Sequence, residues 1–457
     1  MIIDIKIIII KGKFMKNSIN TFHSLALIAA MGTSSSLLAE DNSEILKLKQ
    51  ELQELKAMVK AMQATQVNSP SSAYMELKKS IAKDKEEIAE LKETTQVLID
   101  ETSDLKSGFN YTTVDTSKSH SGLASAASKV YYSKSPLSIG GYGEMYYSRT
   151  KDNATANANV NETLDVYRFI PYIGYKFTDN IILNTELEFE HGGADGNNGG
   201  KAIIEFMYLD FLLNTNYNFR VGHLLVPMGL INEKHEPTLF TTVQRPETSK
   251  YILPSTWHDS GVMMYGEVTE GVEYKLGVFN SLDATQTDAK SWIRDARAGS
   301  DKQSGNIDTS MVARLDYTGT NGLLLGASVY KDKNMQIADI HLDAQYSGAR
   351  VYGTYAMAQR SQGALASSNA KEAQGGFVNL SYDILSSKNS LPLFVQYEHY
   401  NTEDQRFDGT SGDTTKITSF GANYFPHEQV VLKLDYAMKR KGSTDTDTAS
   451  LSMGFIF

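Results

Sequence analysis

The sequence has 457 residues but no cysteine, only nine prolines and two tryptophans. Without cysteine the chain can form neither a disulfide framework nor a thiolate metal site. The formal net charge is −10 and no basic stripe is present, which argues against a nucleic-acid partner. Beyond the N-terminal region no run approaches the roughly 18 consecutive apolar residues of a membrane-spanning helix. A membrane protein of this composition would have to cross the bilayer with β-strands.

Residues 1–39 have the layout of a secretory signal peptide. A basic start at Met15 is followed by an apolar stretch at 25–31 and by small residues, with cleavage predicted after Ala39. Residues 1–14 add a second apolar block that a signal does not need, so Met15 is an alternative start. This pattern predicts export.

Residues 40–107 carry two heptad patterns, separated near Pro70, that predict an α-helical coiled coil. In the first pattern apolar residues recur in steps of three and four, at Ile45, Leu48, Leu52, Leu55, Val59 and Met62. The second runs through Tyr74, Leu77, Ile81, Asp84, Ile88, Leu91, Thr95, Leu98, Thr102 and Leu105. One short helix is marginal alone in water, so we expect self-association, and the seam by itself favours a dimer. Residues 108–136, rich in Ser, Thr and Ala, predict a linker.

Residues 137–457 change to segments of about ten residues in which apolar and polar positions alternate, which indicates a transmembrane β-barrel. Seven short and eight long separators divide this region into sixteen strands, with both ends on the short-turn side. The predicted fold class is therefore all-β, a 16-stranded antiparallel transmembrane β-barrel preceded by an α-helical coiled coil. Short periplasmic turns and long outer loops are properties of bacterial outer-membrane barrels.

The longest separator, residues 227–260, fits neither a strand nor a helix. It contains four of the nine prolines and Trp257, together with Phe240, Tyr251, Ile252 and Leu253. A connection of this length is usually functional or disordered, and these apolar side chains need a wall on which to pack. We therefore expect this third loop to fold into the barrel lumen. A solvated surface loop is the alternative.

Charged residues of this loop and of inward-facing strand positions are the candidate functional residues. At the pore constriction, where rings of charge set ion preference, we expect Lys234, His235, Arg245, Lys250 and His258. On the pore wall we expect the bases Arg168, Arg220, Arg314, Arg350 and Lys433, opposed by the acids Glu186, Glu188, Glu190, Asp210 and Asp343. Opposed walls would create a transverse field, with Arg245 and Lys250 presenting positive charge at the narrowest point.

Motifs of enzymes and cofactor sites are weak in this sequence. His235-Glu236 lacks a second His at helical spacing, and Pro237 prevents the helix that a zinc motif would need. The glycines near Gly140 lie in a predicted strand with no following helix to cradle a phosphate. No compact constellation indicates a hydrolase. We therefore predict a protein that is not an enzyme, with no catalytic residues, no metal and no cofactor.

Five short motifs are shared with a known group of proteins. They are IGGYGE at 139–144, YRF at 167–169, LLVPMGLI at 224–231, HEP at 235–237 and ILPSTWHDSG at 252–261. Together they resemble the phosphate-selective porin O/P family and the related dicarboxylate-type porins with a periplasmic coiled coil. The resemblance implies sixteen strands, a homotrimer and a third loop folded inward. The chain departs from the arginine ladder of phosphate-selective members, because no R-x-R-x-R occurs.

The expected function is that of an outer-membrane porin, a passive diffusion channel for small hydrophilic solutes and ions. Any preference for anions such as phosphate or dicarboxylates should be modest. We expect the barrel among lipid and lipopolysaccharide in the outer membrane of a Gram-negative bacterium, with the coiled coil in the periplasm. The C-terminal Phe457 resembles the signal that the barrel assembly machinery recognises. The rival is a structural or adhesive protein whose coiled coil tethers the cell envelope, whereas a plugged transporter is not expected.

Overall fold

The computed structural model describes residues 56–57, 72–109, 114–154, 160–193, 199–297, 302–304, 307–385 and 389–457. The chain divides between Gly108 and Phe109 into two units. The predicted signal peptide and the first heptad stretch, up to residue 55 and from 58 to 71, lie outside the described residues.

The first unit contains one long helix, α1 (Ser72–Phe109). Three apolar residues of the second predicted heptad pattern, Ile81, Ile88 and Leu91, are each at least 40% exposed in the single chain. An exposed apolar seam is what a helix awaiting partner helices should show, but the coiled coil itself stays a prediction. Among the described residues no helix is both long and apolar enough to span a membrane.

The second unit is a closed barrel of sixteen antiparallel strands, in which each strand pairs with its neighbours in sequence and β1 pairs with β16. The strands are β1 (Leu137–Asp152), β2 (Val160–Thr178), β3 (Ile181–Glu190), β4 (Lys201–Phe211), β5 (Asn218–Leu225), β6 (His258–Thr269), β7 (Val272–Asn280), β8 (Thr309–Tyr317), β9 (Leu323–Lys331), β10 (Met335–Tyr346), β11 (Ala349–Arg360), β12 (Ala370–Asp383), β13 (Pro392–Arg406), β14 (Thr415–His427), β15 (Val430–Lys441) and β16 (Thr444–Ile456). The predicted sixteen-stranded barrel is confirmed.

Period-two alternation places each strand residue on the lipid side or the lumen side of the wall. On β2 the side chains of Phe169, Ile173 and Phe177 are exposed outward, whereas Arg168 and Tyr172, each one position earlier than an outward residue, are buried inward. The predicted alternation of short and long separators is less strict than expected. Residues 332–334 and 442–443 are tight connections, because β9, β10, β15 and β16 extend further than predicted.

The chain before β1 folds back into the barrel instead of forming the predicted linker. Helix α2 (Ser125–Tyr132) packs against the inward faces of β1, β2 and β3. The Asn184 side chain donates to the carbonyl of Ala127 (2.8 Å), and the Tyr131 hydroxyl donates to Asp210 (2.7 Å). We call residues 114–136 the N-terminal lumen segment.

Small side chains explain both the helix and its fit. The sequence SAASKVYY favours helix because alanine has the highest helix propensity, and its alanines let the helix lie close to the wall. Gly174 on β2 completes this fit, since a Cβ there would lie 2.5 Å from the Cβ of Val130. Linkers are equally rich in Ser and Ala, so composition alone could not distinguish a linker from the packed segment seen over 114–136.

Candidate functional site

Residues 226–257, which connect β5 and β6 and which we call loop L3, cross the lumen from wall to wall. Backbone N–H groups of the loop donate to side chains of four strands on the far wall: Gly229 to Asp339 (3.1 Å), Thr241 to Tyr352 (3.0 Å), Val243 to Asp435 (2.7 Å) and Thr248 to Glu398 (3.1 Å). These bonds satisfy donors that an irregular buried backbone would otherwise leave unpaired. A short helix, α3 (Thr248–Tyr251), lies within the loop.

The large apolar side chains of loop L3 are buried against the wall and against each other. Trp257 and Phe240 are each 2% exposed, and Ile252 is fully buried. The Trp257 ring lies 5.2 Å from the Tyr330 ring of β9. Full burial of one such side chain stabilises by roughly 1.5–3 kcal/mol, so this packing contributes to holding the loop inside the barrel.

Loop L3 also holds the N-terminal lumen segment. The Glu236 carboxylate accepts the N–H groups of Ala126 (3.3 Å) and Ala127 (3.1 Å), the first-turn donors of α2 that have no partner within the helix. A negative charge at this position also interacts favourably with the helix dipole. Burial raises the pKa of Glu236 to about 7, against the lowering effect of the two N–H donors. The HEP motif thus includes a helix cap.

Loop L4 (281–308) is a second inward-folded loop. Its helix α4 (Trp292–Asp295) buries Trp292 completely, and the indole N–H donates to the carbonyl of Thr402 (2.7 Å). Lys290 of the same loop lies 4.7 Å from the centre of the Tyr251 ring. Loops L3 and L4 therefore meet inside the barrel.

The structure distributes the predicted constriction residues over three environments. Arg245 and Lys250 are partly exposed on loop L3, and Lys250 lies close to Lys290 and Arg294 of loop L4. Burial, reinforced by the two loop L4 cations, lowers the pKa of Lys250. Lys234 faces the opposite, periplasmic side of the loop.

Two histidines complete the predicted constriction set. His235 is buried, and its Nδ1 lies 2.7 Å from the carbonyl of Asn232. His258 begins β6 and contacts His223 (2.6 Å between ring nitrogens), which shares the outward face of β5 with the exposed Val221. A place for His258 at the constriction stays a prediction.

The predicted wall residues lie inward, and most of the bases have an acidic partner close by. The bases pair with acids on the same or adjacent strands: Arg220 with Asp210 (2.8 Å), Arg350 with Asp343 (2.9 Å), Arg168 with Glu144 (3.4 Å) and Arg314 with Asp316 (2.7 Å). Lys433 donates to the loop carbonyls of Phe240 and Thr242. Buried charges require such neighbours because desolvation of an isolated ion is costly. Four of the predicted bases thus lie in local pairs, and a transverse field between basic and acidic walls stays a prediction.

A cavity of about 970 Å³ opens at the periplasmic end, between the N-terminal lumen segment, loop L3 and strands β10 to β14. It is lined by polar groups that include Lys234, Asp343, Arg350, Ser381 and Asn423. Turn residues such as Gly322 and Gly348 form its rim, which identifies the short-turn side. Solutes on this side would meet the paired charges of Arg350 and Asp343.

The sequence predictions did not place loop L4 or α2 inside the lumen. Lys290, Arg294 and Arg297 belong to a separator that was predicted only as an outer loop, although Trp292 and Ile293 beside them are fully buried. A tryptophan within a long separator is the same signal that identified loop L3, and it could have identified loop L4.

A closed sixteen-stranded barrel with short turns at one end and loops folded into a charged lumen is an outer-membrane channel of the porin type. The family model described as phosphate-selective porin O and P matches residues 166–457, which is more than half of the chain. The chain belongs to this family, as the motifs predicted. The match favours a channel over a structural or adhesive anchor.

A relative in Aquifex aeolicus (strain VF5), described as an uncharacterized protein, is 32% identical over 376 residues. The alignment covers 74% of this chain and 84% of the relative. The relative therefore shares both the barrel and part of the region before it, without naming a solute.

Solved structures with similar folds include other outer-membrane proteins. OmpF of Salmonella typhi, in complex with daunomycin, has a TM-score of 0.50 at 11% identity and covers 70% of this chain and 97% of its own. An anion-selective porin from Comamonas acidovorans has a TM-score of 0.49 at 13% identity, covering 70% and 99%. The outer membrane channel DcaP of Acinetobacter baumannii has a TM-score of 0.46 at 12% identity, covering 71% and 99%. At these identities the likeness concerns the fold alone.

Proposed function

We propose that the protein is a passive diffusion channel for small hydrophilic solutes with a modest preference for anions such as phosphate or dicarboxylates. The observation that carries this proposal is a group of five cations on the two inward loops, which we call the basic cluster: Arg245, Lys250, Lys290, Arg294 and Arg297. Family and fold indicate a channel and not an enzyme.

The basic cluster differs from the wall charges in its pairing. In the described part of the chain none of its five members forms a salt bridge, whereas the wall arginines do. Arg245 and Arg297 face the buried Glu188 and Glu205, but Lys250, Lys290 and Arg294 lie together. Charges in a confined region of low dielectric act on a solute far more strongly than charges in bulk water. Unpaired cations on the loops can therefore set ion preference although the chain is acidic overall.

The test is ion selectivity in planar bilayers. The double variant Arg245→Glu with Lys250→Glu should shift the reversal potential in a salt gradient toward cations. A matched control, Lys331→Glu with Lys416→Glu, makes the same charge change at two exposed residues outside the loops. We expect the control to keep the wild-type value. Equal reversal potentials for the wild type and the loop variant would exclude loop L3 as the source of selectivity.

We further propose a homotrimer with α1 in the periplasm. The exposed seam of α1 supports self-association, and threefold closure of barrel walls would bury more area than a short coil. Native mass spectrometry of a protein lacking residues 41–105 should still show trimers. Monomers or dimers of this truncation would assign trimer formation to the coil.

We also propose that Phe457 recruits the barrel assembly machinery and that the finished barrel contacts lipid and lipopolysaccharide. The terminal residue supports this proposal because it ends the strand that closes the barrel, with its backbone paired to Gly141. Phe457→Ser should slow assembly, measured as the rate at which the heat-modifiable form accumulates in outer membranes. An unchanged rate would count against the proposal.

A further inference from the structure

Three ionisable side chains from three separate segments meet in the lumen beneath loop L3. Glu186 of β3 and Glu205 of β4 are fully buried, and His235 of loop L3 is 2% exposed. The His235 Nε2 lies 3.3 Å from a Glu186 oxygen and 3.7 Å from a Glu205 oxygen. The three donor atoms lie within 4.8 Å of one another. No sequence motif joins these residues, because 49 positions separate Glu186 from His235.

The hydrogen bonds of this group do not satisfy its two carboxylates, so the group is suited to bind a cation. The carbonyl of Asn232 can only accept, so the His235 Nδ1 must carry the proton that joins them at 2.7 Å. In the neutral ring the Nε2 lone pair then points at the two carboxylates. Both oxygens of Glu205 and one of Glu186 have no hydrogen-bond partner although they are buried. Unpartnered buried carboxylates are costly, and a positive ion between them and the imidazole would remove that cost.

We propose that Glu186, Glu205 and His235 bind one divalent transition-metal ion, of which Zn²⁺ is the representative. The donor set favours this class, since imidazole suits zinc and its neighbours whereas Ca²⁺ requires six to eight oxygen ligands. Three protein ligands with a further position left for water are typical of accessible zinc sites.

The donor spacing fits this ion. Zinc binds nitrogen and oxygen at about 2.0–2.2 Å, so the edge of its coordination tetrahedron is roughly 3.3–3.6 Å. The two distances from His235 are close to this edge without any rearrangement. The bond from Nδ1 to the Asn232 carbonyl is the contact that commonly orients a metal-binding histidine.

An approach to the site is provided by β3. Glu186, Glu188 and Glu190 occupy alternate, inward positions of this strand, and exposure increases from the fully buried Glu186 to the partly exposed Glu190 at its outer end. The three carboxylates form a row from the loop side of the lumen to the site. Such a row attracts cations and would guide a divalent ion inward.

Metal uptake by the untagged full-length protein in detergent is the primary test. After equilibration with Zn²⁺ and removal of weakly bound ions, elemental analysis should give one zinc per wild-type chain. Glu205→Gln and His235→Gln should each weaken binding by about tenfold or more, since loss of even an outer contact costs a metal site that much. The control Glu403→Gln removes a carboxylate of β13 that pairs with Arg406 of the same strand, and it should bind as the wild type does.

A second measurement uses only the wild type and keeps the test valid if a variant fails to fold, which heat-modifiable mobility would show. X-ray absorption of the zinc-loaded protein should show one imidazole nitrogen and carboxylate oxygens at four-coordinate distances. Absence of zinc from the wild type, equal uptake in all four proteins, or a spectrum with no imidazole would each overturn the proposal.

Discussion

Loop L3 and the N-terminal lumen segment both occupy the lumen of this barrel, and they are held in different ways. Loop L3 is attached to the far wall through its own backbone, with N–H donors directed at Asp339, Asp435 and Glu398. The N-terminal lumen segment packs its helix against β1–β3, reaches β4 and β6 through the side chains of Tyr131 and His120, and is bonded to loop L3 through Glu236. We therefore expect loop L3 to be needed for the barrel to fold, like a part of its wall. We expect the N-terminal lumen segment to behave as an insert that the barrel can fold without.

Replacing residues 114–132 with a Gly/Ser chain of equal length should produce the largest effect. We expect the barrel to fold, because Arg220 and Asp210 still pair directly when Tyr131 is removed from them, and we expect single-channel conductance to rise several-fold. Replacing residues 240–249 in the same way should instead reduce the yield of folded barrel, because the loss of the buried Phe240 and Val243 side chains would free the loop backbone whose N–H groups are directed at Asp435 and Glu398. Equal folding yields for the two replacements would remove the distinction between wall and insert.

Gly174→Ala should displace α2 with a smaller effect in the same direction. Its added Cβ would lie 2.5 Å from Val130, and overpacking of this kind typically costs about 1–3 kcal/mol. Conductance should rise relative to wild type. In the protein lacking 114–132 the same substitution should have no effect, because Val130 is absent. An equal effect in both backgrounds would place its origin in β2 itself.

Glu236→Gln should loosen α2 without displacing it. Loss of a charged cap costs about 1 kcal/mol, so amide hydrogens of residues 125–132 should exchange severalfold faster. Glu398→Gln, which alters a bond to Thr248 and not to α2, is the control. Equal acceleration in both variants would mean that loop L3 as a whole had loosened.

A pH titration of selectivity should give the smallest effect. Burial and the neighbouring cations lower the pKa of Lys250, so this residue loses its positive charge at a lower pH than an ordinary lysine does. Anion preference should therefore begin to decline as pH rises through that lowered pKa. Lys250→Arg keeps its charge and should abolish the early decline. Persistence of the decline in this variant would assign it to another group.

Strand alternation and separator length predicted the barrel well because lipid and lumen impose opposite demands on successive residues. Loop L3 was predictable for a related reason, since Phe240 and Trp257 are too large and apolar for an exposed loop. Ala126 and Ala127 carry no such signal, because small residues occur in linkers as often as in tight packing. The location of the buried helix is visible only once Gly174 and Asn184 are placed beside it.

The charge pairs could have been predicted from strand register. Asp210 faces Arg220 directly across the β4–β5 hairpin, and Glu144 faces Arg168 across β1–β2. Cross-strand neighbours of opposite charge attract each other, so short-range pairing was available from the turn positions. The group of Glu186, Glu205 and His235 was not, because it depends on how loop L3 crosses the lumen.

The seam between the first and last strands determines an order of events in time. Gly141 and Phe457 exchange two backbone hydrogen bonds of 2.9 Å each at this seam, and the barrel cannot close until β16 is present to pair with β1. Helix α2 leads directly into β1, and Lys129 is bonded to Ile139 on that strand (2.8 Å). The N-terminal lumen segment is thus attached to β1, the strand with which β16 must pair to close the barrel. We therefore expect the barrel to close around the N-terminal lumen segment when β16 pairs with β1. A chain that ends before β16 cannot complete this step.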